Sequence, residues 1–267
     1  MRVLHMNFGS LFSGIGGLDL GLERAGLSCL WQSEIDPYAS RVLKKHWPAV
    51  PNLGDIRDID WRTVPTVDLV CGGYPCQPFS YAGARNGTND PRHLWPRFGD
   101  CLRILRPRFA LLENVTGHLS LGFDDVQADL AALGYNTQWD CIPAAAVGAP
   151  HLRDRIFVIA TRNDRMDAYS DSEPNGTINA ATQPWPSPMA HANGKRFPQC
   201  EPAALTNQSI IGCRSTNETR RIWEPEPGVG RVANGIPNRL DRLRGLGNAV
   251  VPQVAEHIGN IIMDMAT

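Results

Sequence analysis

Between residue 8 and about residue 160 the chain alternates short apolar runs with amphipathic stretches. That is the pattern of a parallel sheet covered by helices on both faces. The strand candidates are "FGSLFS", "LSCLWQS", "VDLVCGG", "FALLENV", "NTQWDCIP" and "RIFVIAT". Between them, "GGLDLGLERAG" has helical apolar spacing and stops at Gly26, and "GFDDVQADLAALGY" does the same at Gly134. From Asn163 to Asn234 the periodicity dissolves into Pro, Asn, Ser, Thr and Gly, with Trp185 and Trp223 as isolated large apolar residues. This stretch reads as a small irregular module or a partly mobile insertion. Regular structure resumes in "NRLDRLRGLGNAVVPQVAEHIGNIIMDM", where Pro252 suits the first turn of a helix with an apolar stripe of Val254, Ile258, Ile261 and Ile262. The expected division is therefore 1–162, 163–234 and 235–267.

Composition narrows the class. With 267 residues, 42% of them hydrophobic, the chain can bury one large core. It has no apolar run of membrane-spanning length and no signal-peptide pattern, so a soluble, cytoplasmic protein is expected. Its seven cysteines are odd in number and include no C-x-x-C pair, which points to reduced thiols rather than disulfides or a metal site. Net charge is −1, so nothing global announces a nucleic-acid binder. Arg214, Arg220, Arg221, Arg231, Arg239, Arg242 and Arg244 nevertheless crowd the last quarter, where a solvated face is the plain reading of charge alone. "MNFGSLFSGIGG" reads as a natural start at Met6, with residues 1–5 as an extension.

The candidate chemistry lies at strand ends. "FSGIGGLDLGL", from Phe12, is a glycine-rich strand-to-helix turn of the kind that lets a ligand approach the backbone beside a helix N-terminus. A tight turn with no ligand fits the same letters. Glu34, twenty positions after Gly14, ends the next strand, where an acid can accept from ribose hydroxyls. Asp55 in "LGDIRD" occupies another loop edge, placed for an adenine amino group. Each acid alone is as readily a helix cap, but with the turn they make a nucleoside pocket the better reading. "GGYPCQPFS" then sets Cys76 between Pro75 and Pro78 just past a buried strand. A thiol held there suits nucleophilic attack, whereas Cys71 inside the strand reads as core. Glu113 ends "LLENV", where partial desolvation would let it hold a proton near neutral pH, although it could also cap a turn. Arg153 and Arg155 in "HLRDRIF" alternate on one side of an incipient strand, suiting an anion, or a salt bridge to a carboxylate such as Glu113.

Taken in order, "FSGIGG", "SEID", "GDI", "GGYPCQPFS", "ENV", "HLRDRIFVIA" and "GNAVVPQVAEHIG" resemble the DNA (cytosine-5)-methyltransferases. The resemblance covers residues 8–160 and 236–263. It implies a Rossmann-like S-adenosylmethionine-dependent methyltransferase sheet with helices on both faces, plus a small irregular target-recognition domain at 163–234. It further implies methyl transfer from S-adenosylmethionine to carbon 5 of a cytosine flipped out of duplex DNA. By that similarity Cys76 attacks carbon 6, Glu113 protonates ring nitrogen 3, Arg155 buttresses the base and Glu113, and Arg153 steadies the cysteine loop. Phe12, Gly14 and Gly16 would surround the cofactor's methionine. Glu34 would meet its ribose, Asp55 and Ile56 its adenine, and Ile35 would also belong to the cofactor site. Pro75, Leu94, Asn248 and Val250 would complete the pocket. The last two place the C-terminal helix back beside the first strands, and "SYAGARNGTNDPRH" resembles a loop that closes over DNA.

The chain departs from that pattern in places. His151 stands where glutamine is more usual, "RVANGIPNRLDRLRGL" is nearly unrecognisable, and the recognition region is short, as in compact bacteriophage or prophage enzymes. A transfer-RNA cytosine methyltransferase shares the motifs, but its Cys-Phe-Thr signature is absent and "RFPQCEP" is the nearest cysteine context. An inactive DNA-binding homologue is the other alternative, although every catalytic residue type is present. The expected partner is double-stranded DNA, with no membrane and no metal. Either a restriction endonuclease encoded nearby or a role in protecting phage DNA, with a monomeric state, completes the expectation.

Overall fold

In the computed structural model the described residues are 5–75, 94–120, 122–163, 195–196 and 238–267. Every strand read from the sequence forms. They are β1 (Asn7–Leu11), β2 (Ser28–Ser33), β3 (Leu69–Gly72), β4 (Phe109–Val115), β5 (Tyr135–Ile142) and β6 (Arg155–Arg162), with a two-residue β7 (Lys195–Arg196). The sheet order is β2-β1-β3-β4-β6-β5-β7.

Alternation along the strands sends side chains to two separate layers. Leu69, Cys71, Phe109, Leu111, Phe157 and Ile159 face one layer. Val70, Ala110, Leu112, Ile156, Val158 and Ala160 face the other. The first is roofed by α1 (Gly17–Arg24) and the C-terminal helix. The second is roofed by α3 (Trp95–Leu105) and α4 (Phe123–Ala132). Burial on both faces explains why the strands read as continuous apolar runs rather than alternating ones. Both helix stops read from the sequence hold, since Gly26 and Gly134 take positive φ just beyond α1 and α4.

One expectation needs correction. The sheet is mixed rather than wholly parallel, because β6 runs antiparallel to both β4 and β5. A parallel return needs a crossover, usually a helix. The chain leaves β5 through a short 3-10 turn at Ala144–Val147 and enters β6 with no α-helix between them. It therefore turns back and slots β6 between β4 and β5.

After α2 (Pro37–His46), α3 and α4, the last helices are α5 (Arg239–Asn248) and α6 (Pro252–Ala266). α6 starts at Pro252 and buries Val254, Ile258 and Ile262 against α1, as its stripe requires. Their contact is close. A Cβ at Gly21 would fall on Ala255 and the Pro252 carbonyl, so the two backbones meet where α1 has no side chain. The far end of the chain thereby lies beside β1, as the sequence implies.

Candidate active site

The site is built at the C-terminal ends of β1, β2, β3 and β4, where open α/β sheets bind ligands. Beyond β1 the chain makes a left-handed turn, with positive φ at Phe12, Gly14 and Gly16. Phe12 is not a glycine, so its φ of 52° stores strain that the surrounding bonds must hold. Ser13 N–H donates to the Ser33 carbonyl at 3.3 Å, and Gly16 N–H to the Ser13 carbonyl at 2.9 Å.

Glu34 is fastened to this turn. One carboxylate oxygen accepts from Gly14 N–H at 2.7 Å and the other from Asp36 N–H at 2.7 Å. The acid is thus aimed by two backbone donors, and each oxygen keeps a lone pair for a ligand hydroxyl. Asn52 locks the same corner from behind. Its oxygen accepts from the N–H groups of Glu34 and Gly54, and its amide donates to the Glu34 carbonyl and Ser40 Oγ. Asp55, expected to meet an adenine amino group, has a partner within the chain. Arg57 holds its carboxylate through Nε at 3.0 Å and Nη2 at 2.5 Å, keeping the Asp55 carboxyl below its usual range. A ligand amine must share or displace that guanidinium.

At the end of β4, Glu113 is 9% exposed, and Arg155 Nε lies 3.1 Å from its carboxylate. Burial pushes the Glu113 carboxyl up to about 7, against the opposing pull of Arg155 and Arg153. The carboxyl has room only because residue 73 is glycine, since a Cβ there would fall on the Glu113 oxygen. Next to it, Asn114 Nδ2 donates to the Tyr74 carbonyl at 3.1 Å. That bond ties the loop leading to Cys76 onto β4. Cys76 itself lies outside the described residues, as does "SYAGARNGTNDPRH". Pro75, immediately before Cys76, is described.

These groups converge on one cavity of about 580 Å³. Phe12, Gly14, Glu34, Ile35, Asp55, Ile56, Pro75, Leu94, Glu113, Arg155, Asn248 and Val250, all singled out from the sequence, line it. Gly16 and Arg153 do not. They border a neighbouring cavity of about 500 Å³ on the far side of the glycine turn. A Cβ at Gly16 would strike the Trp47 ring, so the missing side chain lets that ring pack against the turn. Arg153 Nη2 donates to the carbonyls of Gly247 at 2.5 Å and Ala249 at 2.7 Å, where the sequence assigned it to the cysteine loop. Its described role is to clamp the segment that carries Asn248 and Val250. Sequence reasoning missed Asn52 and the Asn114–Tyr74 tie. Asn114 stands inside the quoted "ENV", but Asn52 had no motif to mark it.

An S-adenosylmethionine-sized ligand fits this chemistry. The volume falls within the range of small-molecule pockets, roughly 300–1,000 Å³. Glu34 offers acceptors for a diol, and Ile35, 64% exposed, offers apolar surface for a ring. Among the described residues no helix is long and apolar enough to cross a membrane.

Solved structures place the fold. The chain overlays, with TM-score 0.52 and 28% identity over 60% of its length and 48% of the other's, on an Escherichia coli prophage protein taken for a DNA modification methyltransferase. The Entamoeba histolytica methyltransferase EhMeth shares the fold at TM-score 0.52 and 23% identity, over 60% of this chain and 54% of that one. The architecture is a Rossmann-like methyltransferase sheet. The family model for C-5 cytosine-specific DNA methylases matches residues 6–222, and the chain belongs to that family. The type II methyltransferase M.HgiCII of Herpetosiphon aurantiacus is 36% identical over 180 residues, 62% of this chain and 41% of that protein. M.NgoBV of Neisseria gonorrhoeae is 30% identical over 245 residues, 83% of this chain and 57% of that protein. The chain thus spans about half the length of these curated relatives. S-adenosylmethionine is the cofactor of this family.

Proposed function

We propose that the chain transfers a methyl group to carbon 5 of cytosine in a specific duplex DNA sequence, with the base flipped into the cavity. The observation that carries this reading is the Glu113 carboxyl. It is buried, paired with Arg155 and pushed up to about 7, on the wall of the cavity that also holds Glu34 and Pro75. A carboxyl poised near neutrality can give its proton to ring nitrogen 3 while Cys76, one residue beyond Pro75, adds its thiolate to carbon 6. Carbon 5 then becomes nucleophilic. S-adenosylmethionine, when bound by Phe12, Glu34 and Asn248, supplies the electrophilic methyl. Loss of the carbon 5 proton to a base and departure of the Cys76 thiolate restore the aromatic ring. Arg155 keeps Glu113 oriented throughout.

Residues 163–234 serve as the recognition segment in this reading, and residues 1–162 and 235–267 as the catalytic unit. The protein acts in the cytoplasm as a monomer, either beside a restriction endonuclease encoded nearby or in the protection of phage DNA. The test is trapping on duplex DNA carrying 5-fluorocytosine. Fluorine cannot leave carbon 5 as a cation, so the chain should remain covalently attached in a cofactor-dependent complex that survives denaturing electrophoresis. Cys76→Ser should abolish the complex and Cys71→Ser should leave it intact. Trapping by Cys76→Ser would overturn the assignment. Methyl transfer to transfer RNA but not to duplex DNA would move the substrate to the alternative class.

A further inference from the structure

One buried carboxylate takes no part in that chemistry. Asp19 lies in the first turn of α1, two residues past the glycine turn, with no exposed surface. Its two oxygens accept from different strands. Ser10 Oγ on β1 donates at 3.0 Å, and Gln32 Nε2 on β2 donates at 2.7 Å. The Cys29 thiol on β2 approaches at 3.9 Å.

Each partner leads to a different wall of the cofactor cavity. The Ser10 carbonyl accepts from Ser13 Oγ at 3.1 Å, inside the glycine turn. The Gln32 backbone carries the adenine-side loop, accepting from Leu53 N–H at 2.7 Å and donating to the Pro51 carbonyl at 3.0 Å. Ser33, the next residue, donates to the Gly54 carbonyl at 2.8 Å and is followed by Glu34. The methionine-side turn, the ribose acid and the adenine-side loop therefore meet, through one bond each way, at a single carboxylate.

We propose that Asp19 is a positioning residue for cofactor binding, holding these three walls in register through its paired acceptors. The inference rests on the cavity being the cofactor site. An ionised carboxylate suits the task because it only accepts, and both Ser10 and Gln32 present donors. Protonation removes the charge that strengthens both bonds and turns the Ser10 bond around, and neutral hydrogen bonds are roughly half as strong as charge-assisted ones. The titratable groups around Asp19 are Glu23 on its own helix, Cys29 on β2 and Cys71 on β3. Burial raises both thiols well above their ordinary range, so they stay neutral. Asp19 itself is raised to about 6, chiefly by burial. The register should therefore loosen as pH falls through that value.

The test is calorimetry with S-adenosylmethionine between pH 7.5 and 5.5 on the full chain, together with steady-state methyl transfer. Asp19→Leu keeps bulk and removes both acceptors, and is expected to weaken cofactor affinity about tenfold or more while kcat at saturating cofactor stays within about twofold. Asp19→Asn keeps both bonds as neutral ones, an oxygen for Gln32 and an amide for the Ser10 oxygen, so at pH 7.5 it should bind the cofactor about as wild type does with Asp19 protonated. It should also lack the part of the acid decline that wild type shows near pH 6. Glu113 titrates in the same cavity in both proteins, so the difference between the two curves isolates Asp19. If Asp19→Leu fails to fold, the pH curve of Asp19→Asn decides alone. An Asp19→Asn curve that superimposes on wild type overturns the proposal, as does a fall in kcat with affinity unchanged. Wild type that binds no cofactor would instead remove the functional reading beneath it.

Discussion

Glu113 shows how a single residue can be written into a chain and still need its surroundings. The sequence marks an acid at a strand end, but its protonation depends on burial, opposed by Arg155 and Arg153, and its room on Gly73, which only the fold brings together. Because the folded carboxyl is raised from 4.5 to about 7, the folded state binds the proton more tightly than the unfolded chain. Wild type should therefore lose stability as pH rises from about 4.5 to about 7, and Glu113→Gln should not. Thermal midpoints at pH 5 and pH 8 check this, with the variant gaining on wild type at the higher pH. Its methylation rate should drop by roughly a hundredfold or more, since the proton donor is gone. Wild-type activity should also decline above about pH 7 as the acid ionises. Glu34 was legible in the same way, from its distance to the glycine turn. Asn52 was not, because its four bonds, three to backbone groups and one to Ser40 Oγ, join parts of the chain that only the fold brings together.

At the level of elements, the strands were legible because burial on both faces makes each a dense apolar run. The direction of β6 was not. Apolar runs carry no sense of direction, and only the helix-free link after β5 reverses the chain. The C-terminal helix was legible from Pro252 and its stripe, and its seat against α1 has a consequence for the cavity. α6 and the Arg153 clamp together hold the segment carrying Asn248 and Val250. Ile258→Ala should cost about 2–5 kcal/mol by urea unfolding, since a fully buried side chain leaves a void. Arg153→Ala should weaken S-adenosylmethionine binding by about tenfold, because the segment carrying Asn248 and Val250 loses the two bonds that hold it. Calorimetry showing unchanged affinity would leave Arg153 with the cysteine loop alone, as the sequence implied.

For the molecule as a whole, net charge offers no attraction to DNA, so binding must draw on local arginine surfaces. Affinity should fall steeply with salt, by about one power of salt concentration per phosphate neutralised. Filter binding from low to moderate salt measures that slope, and a flat line would exclude backbone contacts. Exchanging residues 163–234 for the corresponding segment of a relative should change the methylated sequence while the chemistry persists, as bisulfite sequencing would show. The cavity draws its walls from residues 12–15 and 17 and from 247–250, far apart along the chain. During synthesis, then, the pocket cannot close until its final wall has cleared the ribosome. A nascent chain that stops short of residues 247–250 lacks a complete place for the cofactor, however long it waits. Two separately expressed pieces, cut between those stretches, would likewise lack it until they find each other.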